Sequence, residues 1–245
     1  MSEIVATVAQ LYFYPVKSMA GIPLQQAYIG LDGILADRQY AFVHTSQAAT
    51  NSFPWMTARQ SWRMLLYQPQ LDVMPTPDDQ EPAVKVRTPD GTIRAVDDPA
   101  LCQELAAIND TPLFLLKSNR GNFDAQHLSL FSLTSLEALA TEAGSAIDHR
   151  QFRANIYMQP ASGSAFDEEA WAGHLLQIGE SALVGITKRD GRCMIVNLDP
   201  TTGDMNPAVL RTIAQRHDRK AGVYGNVIRR GLIRVGDEIR VVAKN

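Results

Sequence analysis

The sequence predicts a β-rich α+β protein built on barrel-like sheets. Two observations carry this. Short runs of period-two alternation recur along the chain, and only three helices can be placed among them. A parallel α/β fold would need strand and helix to alternate regularly, which they do not. At 245 residues, 45% hydrophobic and 20% charged, the chain suits one large or two small domains and can bury a core without disulfides.

Taken in order, Tyr12 to Val16 is a short aromatic and β-branched run. Leu31-Asp32-Gly33 reads as a turn and Gln39 to His44 as the strand after it. Met74 to Pro82 is rich in Pro and Asp and is expected to be an exposed loop. Val84 to Thr88 alternates, Pro89-Asp90-Gly91 turns the chain, and Thr92 to Val96 returns. Asp-Gly supplies the positive φ that such a hairpin needs. Asp98 caps a helix with Pro99 at its first position and Leu101, Leu105 and Ile108 along it. Thr134 and Glu137 form a capping box ahead of Leu136, Leu139 and Ala140, and Gly144 ends that helix. Asn206 caps a third helix, with Pro207 first and Leu210 and Ile213 on one face. Gly231 to Val242 alternates, turns at Gly236-Asp237 and alternates again.

Composition narrows the function. Lys and Arg total 23 against 26 Asp and Glu, a formal charge of −3 that argues against a dedicated nucleic-acid binder while leaving room for a local basic pocket. Two cysteines, Cys102 and Cys193, disfavour a disulfide scaffold, a Cys-rich zinc site and a self-contained iron–sulfur cluster. The N-terminus has no basic region followed by an apolar core, and no apolar run is long enough to cross a bilayer. A cytoplasmic protein without a membrane partner is therefore expected. Phosphate-loop, dinucleotide-binding, zinc-protease and nucleophile-elbow motifs do not occur, and the five histidines have no ligand spacing.

Cys193 is the most informative single residue. Read as a strand beginning after Asp190-Gly191-Arg192, it shares a face with Ile195 and Asn197. It is either a small buried hydrophobe or, with Arg192 favouring the thiolate, a metal ligand or nucleophile. Cys102, beside an apolar helical stripe, reads as core. Basic residues recur at segment edges: Val16-Lys17-Ser18, Asp37-Arg38, Thr57-Ala58-Arg59-Gln60 and Phe152-Arg153-Ala154-Asn155. Each is a surface charge or part of a converging anion site.

Those motifs, followed by Arg192-Cys193, Asp199-Pro200-Thr201-Thr202-Gly203 and Val235-Gly236-Asp237, occur in an order that resembles the MOSC family and, within it, the amidoxime-reducing components. The resemblance implies an N-terminal β-barrel-like region over 1–118 and a MOSC domain over 119–245, hence two barrel-like sheet regions with a few short helices. It also implies the molybdenum cofactor, a pterin carrying a dithiolene and a terminal phosphate. Cys193 matches the cysteine that ligates molybdenum, a soft donor for a sulfur-rich centre. Lys17, Ser18, Arg38 and Arg59 match residues that hold phosphate and pterin. Arg153 and Asn155 match pterin contacts, and Thr57 and Arg192 join the cofactor-binding set. Asp199 matches an acidic position near the metal, suited to orienting water or relaying a proton, or else to forming a turn. The sequence departs from the family pattern at Val227, where a relative has an aromatic residue, and its two cysteines could not hold the cluster of the ferredoxin-like domain that some bacterial relatives carry.

The function implied is a molybdenum-cofactor oxidoreductase that reduces small N-hydroxylated compounds with electrons from a separate ferredoxin- or flavin-type protein. The alternatives are a cofactor or sulfur carrier without turnover and a barrel-like domain that has lost the cofactor.

Overall fold

The computed structural model describes residues 3–51 and 53–244. Its elements are β1 (Glu3–Phe13), β2 (Ile22–Leu24), β3 (Gln26–Gly30), β4 (Gly33–Ile34), β5 (Tyr40–His44), β6 (Gln68–Leu71), β7 (Val84–Arg87), β8 (Ile93–Ala95) and α1 (Pro99–Ile108). There follow β9 (Leu113–Lys117), β10 (Leu128–Ser132), α2 (Leu133–Ala143), β11 (Ile156–Pro160), β12 (His174–Ile178), β13 (Ala182–Gly191), α3 (Ala208–Arg216), β14 (Lys220–Arg229), β15 (Gly231–Arg234) and β16 (Glu238–Lys244). The β-rich α+β class is as expected.

Seven strands close a barrel in the order β11-β10-β14-β13-β12-β16-β1, and β1 pairs back onto β11. Only β10 and β11 run parallel within it. Alternation fills the interior: Val8, Leu11, Leu130, Ile156, Leu176, Val184, Val223 and Ile239 are all buried in one cluster. Register shifts at Val8/Gln10 in β1 and at three places in β13 bend the long strands around the barrel. A second cluster, with Phe131, Leu139, Phe152, Val196 and Ile213, packs α2 and α3 against its outside. A third, with Phe42, Met64, Val86, Leu101 and Leu105, joins α1 to two small sheets, β5–β9 and β6–β7–β8.

Most local expectations hold. Strand β5 covers the predicted segment, and β7 and β8 form the hairpin with Gly91 at φ 91°. The Asp98 carboxylate accepts from the Ala100 amide at the start of α1, and Gly144 closes α2 in the left-handed region. Asn206 Oδ1 accepts from the Ala208 amide, so it caps α3 with Pro207 between. Three readings are corrected. The N-terminal strand begins at Glu3, well before Tyr12. The cap of α2 is Ser132, whose hydroxyl accepts from the Ser135 amide at 3.2 Å, because β10 passes into the helix without a loop; Thr134 lies inside the first turn. The turn at Gly236-Asp237 joins two sheets and makes no hairpin. Strand β15 pairs with β3, while β16 inserts between β1 and β12.

The two halves of the sequence meet at Asp37. Its carboxylate, wholly buried, accepts from the Tyr14 amide at 2.7 Å, from Asn155 Nδ2 at 2.9 Å and from Arg38 Nη1. One side chain thus links the end of β1, the loop before β5 and the loop before β11. Asp37→Ala strands a guanidinium and an amide in the interior, so we expect about 3–5 kcal/mol of lost stability. Urea unfolding checks this; a loss below about 1 kcal/mol would show that the carboxylate is not a structural tie.

Candidate functional site

One cleft gathers nine of the ten residues singled out from the sequence: Lys17, Ser18, Arg38, Thr57, Arg59, Arg153, Asn155, Arg192 and Cys193. Its empty space is about 800 Å³, open solvent at the mouth included. The tenth, Asp199, is not on its wall. Asp199 Oδ1 accepts from the Thr201 and Thr202 amides at 2.7 and 2.9 Å, closing the turn that reaches Asp204.

Backbone geometry aims the basic side chains. Ser18, Arg38 and Arg153 all sit at positive φ, 68°, 51° and 54°. That conformation is unfavourable for residues with a Cβ and recurs at functional sites. The Tyr14 ring is buried and packed against Gly21, and the Arg38 and Arg153 guanidinium groups lie over it at 4.6 and 4.5 Å from its centroid. Lys17 follows a bridge between Val16 and Tyr40. Its Nζ donates to Asn122 O at 2.6 Å and Asp124 Oδ1 at 2.7 Å and lies 4.5 Å from the Trp55 ring centroid. Arg59, half exposed, donates to the other Asp124 oxygen at 3.3 Å.

Charge is only partly balanced. Asp37 pairs with Arg38, Asp124 with Lys17 and Arg59, and Asp190 with Arg192 at 2.9 Å. Five cations therefore face three carboxylates, leaving two positive charges. Among the described residues Arg153 has no carboxylate partner. Burial, with Arg38 close by, pulls its guanidinium down to about 10, and Nη2 has no hydrogen-bond partner. Burial likewise pulls Lys17 down to about 8, against the opposing pull of Asp124. Burial raises Asp190, which Arg192 partly offsets.

The remaining predicted residues play more internal parts. Asn155 donates to Tyr12 O and Asp37, and its Oδ1 lies 3.4 Å from both the Ser129 amide and Arg38 Nη1, so its amide is engaged within the protein. Thr57 bonds Gln60 Oε1 through both its amide and its hydroxyl. Arg192 donates to Ala221 O and Phe152 O at 2.7 and 2.8 Å, tying the end of β13 to its neighbours. These bonds correct the reading of Cys193. Strand β13 ends at Gly191, and Cys193 is an extended residue leading into a tight turn over Met194–Asn197. It shares no strand face with Ile195 and Asn197. The thiol still lines the cleft, half-buried and unpaired with any other cysteine. Cys102 lies apart, half-buried against the third cluster, and donates its thiol proton to Leu113 O.

Sequence reasoning missed Asp124, Asp190 and Tyr224, which also line the cleft. Asp190 stands two residues before Arg192, and this acid-base spacing is the signal for their pair. Asp124 lies in an irregular stretch with no periodic signal. Val227, the departure from the family pattern, is buried in the barrel core. Tyr224 is the aromatic residue of that segment on the cleft wall.

Among the described residues no three His, Cys, Asp or Glu side chains cluster as a metal site. Cys193 is the cleft's one soft donor, so a metal held here must bring most of its ligands with it. The orphaned Arg153 Nη2 and the uncompensated positive charge suit a ligand that is anionic and rich in acceptors.

The family model of the MOSC domain matches residues 117–240, and that of the MOSC N-terminal beta barrel domain matches residues 5–111. Mitochondrial amidoxime-reducing component 1 of Xenopus laevis is 26% identical over 298 aligned positions, covering 98% of this chain and 83% of that protein. Among solved structures, the YUAD protein from Bacillus subtilis superposes over all of both chains with a TM-score of 0.55 at 14% identity, a likeness of fold. YiiM from Geobacillus stearothermophilus is 17% identical over 48% of this chain and 54% of that one, with a TM-score of 0.38. The matched models span nearly the whole sequence, and the chain belongs to the MOSC family.

Proposed function

We propose that the cleft holds the molybdenum cofactor and that the protein is an oxidoreductase of N-hydroxylated compounds, supplied with electrons by a separate protein. The observation that carries this is the convergence of one thiol and two unbalanced positive charges in a single cleft. The similarity to an amidoxime-reducing component over 98% of the chain supports the reaction class.

When bound, the cofactor supplies two-electron chemistry at molybdenum; the chain supplies binding, orientation and electrostatics. Cys193 would hold the metal as a thiolate. Arg153 Nη2 is free to donate, and Lys17 and Arg59 can offer charge to a phosphate. Arg38 is fixed by Asp37 and by Arg153 O at 3.0 Å, so its charge is pre-oriented without reorganisation. Reducing an N–OH group takes two electrons and two protons and releases water, which leaves through the cleft's open mouth.

Cys193→Ala deletes one small atom and should fold normally. Protein made in a cofactor-synthesising host should then retain little molybdenum by elemental analysis and reduce no amidoxime. Wild-type metal content in this variant would remove Cys193 from the metal site, while metal retained by the wild type without turnover would favour a carrier.

The lowered Lys17 ammonium gives a pH signature. Its charge is complete well below about 8 and is lost as pH rises through that value. Sulfate, whose charge stays constant over this range, should bind the unloaded protein most tightly below pH 8 and about tenfold more weakly a unit above it. Lys17→Met should flatten the profile; a profile equally steep without Lys17 would assign it to another group.

The sequence carries neither a phosphate-loop nor a dinucleotide-binding motif, and two cysteines are too few for an iron–sulfur cluster. The purified protein should therefore turn over with a ferredoxin- or flavin-type partner or a reduced dye, and stay idle with NADPH alone. Steady NADPH-driven turnover by protein free of contaminating reductase would contradict the partner.

A further inference from the structure

The three carboxylates that balance the cleft are not held alike. Asp37 is wholly buried and takes a backbone amide as well as side-chain donors. Asp190 is 2% exposed and takes the Ser129 hydroxyl at 2.9 Å besides Arg192. Asp124 is 46% exposed, and among the described residues its oxygens accept only from Lys17 and Arg59. Two of the three are built into the fold. The third is held by the cations it neutralises.

The chain on either side of Asp124 is anchored. Asn122 Nδ2 donates to Arg38 O and Gln39 O at 2.9 and 3.1 Å, its own carbonyl holds Lys17 Nζ, and its Oδ1 accepts from Trp55. Leu128 enters β10 four residues beyond Asp124. Lys17 therefore keeps its place whether or not Asp124 touches it, and Asp124 can turn toward solvent by rotating its side chain.

We propose that Asp124 is an internal counter-ion that neutralises the anion subsite formed by Lys17 and Arg59, and that a phosphoryl group binds there by displacing it. The proposal rests on the reading of the cleft as the seat of a phosphate-bearing cofactor. A phosphoryl dianion carries more charge than a carboxylate and offers three acceptor oxygens to the two cations. The exchange turns a half-exposed carboxylate out into water, where its hydration is nearly restored. The ligand thereby replaces an existing ion pair, and the unloaded protein avoids burying Lys17 near the uncompensated charge of Arg153. The arrangement also discriminates: a monoanion gains little over the resident carboxylate, whereas a dianion does.

The test is titration of unloaded full-length protein with inorganic phosphate at pH 7 by calorimetry, for the wild type, Asp124→Asn and Asp124→Ser. The serine variant also removes the carbonyl acceptor that asparagine retains, and thermal melting without phosphate checks that each variant is folded. Both variants should bind phosphate about tenfold more tightly than the wild type, as expected when one charge-assisted competitor is removed. Their affinity should also fall more steeply with added chloride. If the wild type binds phosphate and the folded variants bind it equally or more weakly, Asp124 is no competitor and the proposal fails while the cofactor reading stands. If no protein binds phosphate at tens of millimolar, the subsite itself is wrong, and the cofactor reading loses its anion site along with this proposal.

Discussion

The site depends on one buried carboxylate. Asp37 has no exposed side-chain surface, and its oxygens hold the Tyr14 amide, the Asn155 amide and the Arg38 guanidinium. An unpaired charge at such a position would be prohibitively costly, so every partner must be in place. That requirement fixes three chain segments together: the exit of β1, the loop before β5 and the loop before β11. Each also carries residues of the cleft. The constraint that joins the halves of the molecule is therefore the one that assembles its site, and a cleft built this way cannot loosen without loosening the fold.

The same tie explains why strained backbone persists here. Arg38 and Arg153 hold positive φ, and both guanidinium groups lie over the Tyr14 ring. Arg38 Nη2 bonds Arg153 O, Arg38 N bonds Tyr14 O, and Arg153 Nη1 bonds Met19 O at 2.8 Å. Each left-handed residue is over-determined by neighbours, the condition under which strain of about 1–3 kcal/mol survives. Two guanidinium groups repel each other in isolation. Here both lie over one electron-rich ring, and Asp37 compensates one of them.

Much of this was legible in the sequence, for local reasons. Pro99 after Asp98, Asp90-Gly91 and Gly144 each act through their own backbone, so helix α1, the β7–β8 hairpin and the end of α2 could be read directly. The convergence of Lys17, Arg38, Arg59, Arg153 and Cys193 was visible only as an ordered set of motifs resembling a family. No short-range rule brings positions more than 170 residues apart, such as Lys17 and Cys193, to one wall. What was missed is non-local. The closure of β1 onto β11 depends on a partner about 150 residues away. The insertion of β16 between β1 and β12 overrode an apparent hairpin at Gly236-Asp237. Asp124 and Asp190 matter only through the cations they face, which alternation and spacing do not reveal.

Asp199 and Cys193 show how backbone hydrogen bonds decide between rival readings. The sequence reads Cys193 as opening a strand, and Asp199 either as an acid near the metal or as a turn former. The amides of Thr201 and Thr202 converge on the Asp199 carboxylate, the ordinary task of an Asp at the head of a turn. Arg192, bonded to Ala221 O and Phe152 O, stops β13 before Cys193 and curls the chain so that the thiol meets the cleft. The two residues are six positions apart, yet one serves the turn and the other the cavity. An acidic residue placed near a metal by motif alone still has to be freed from its local backbone before it can act on a ligand. Asp199 commits one oxygen, Oδ1, to the turn amides, whereas Cys193 makes no side-chain hydrogen bond among the described residues.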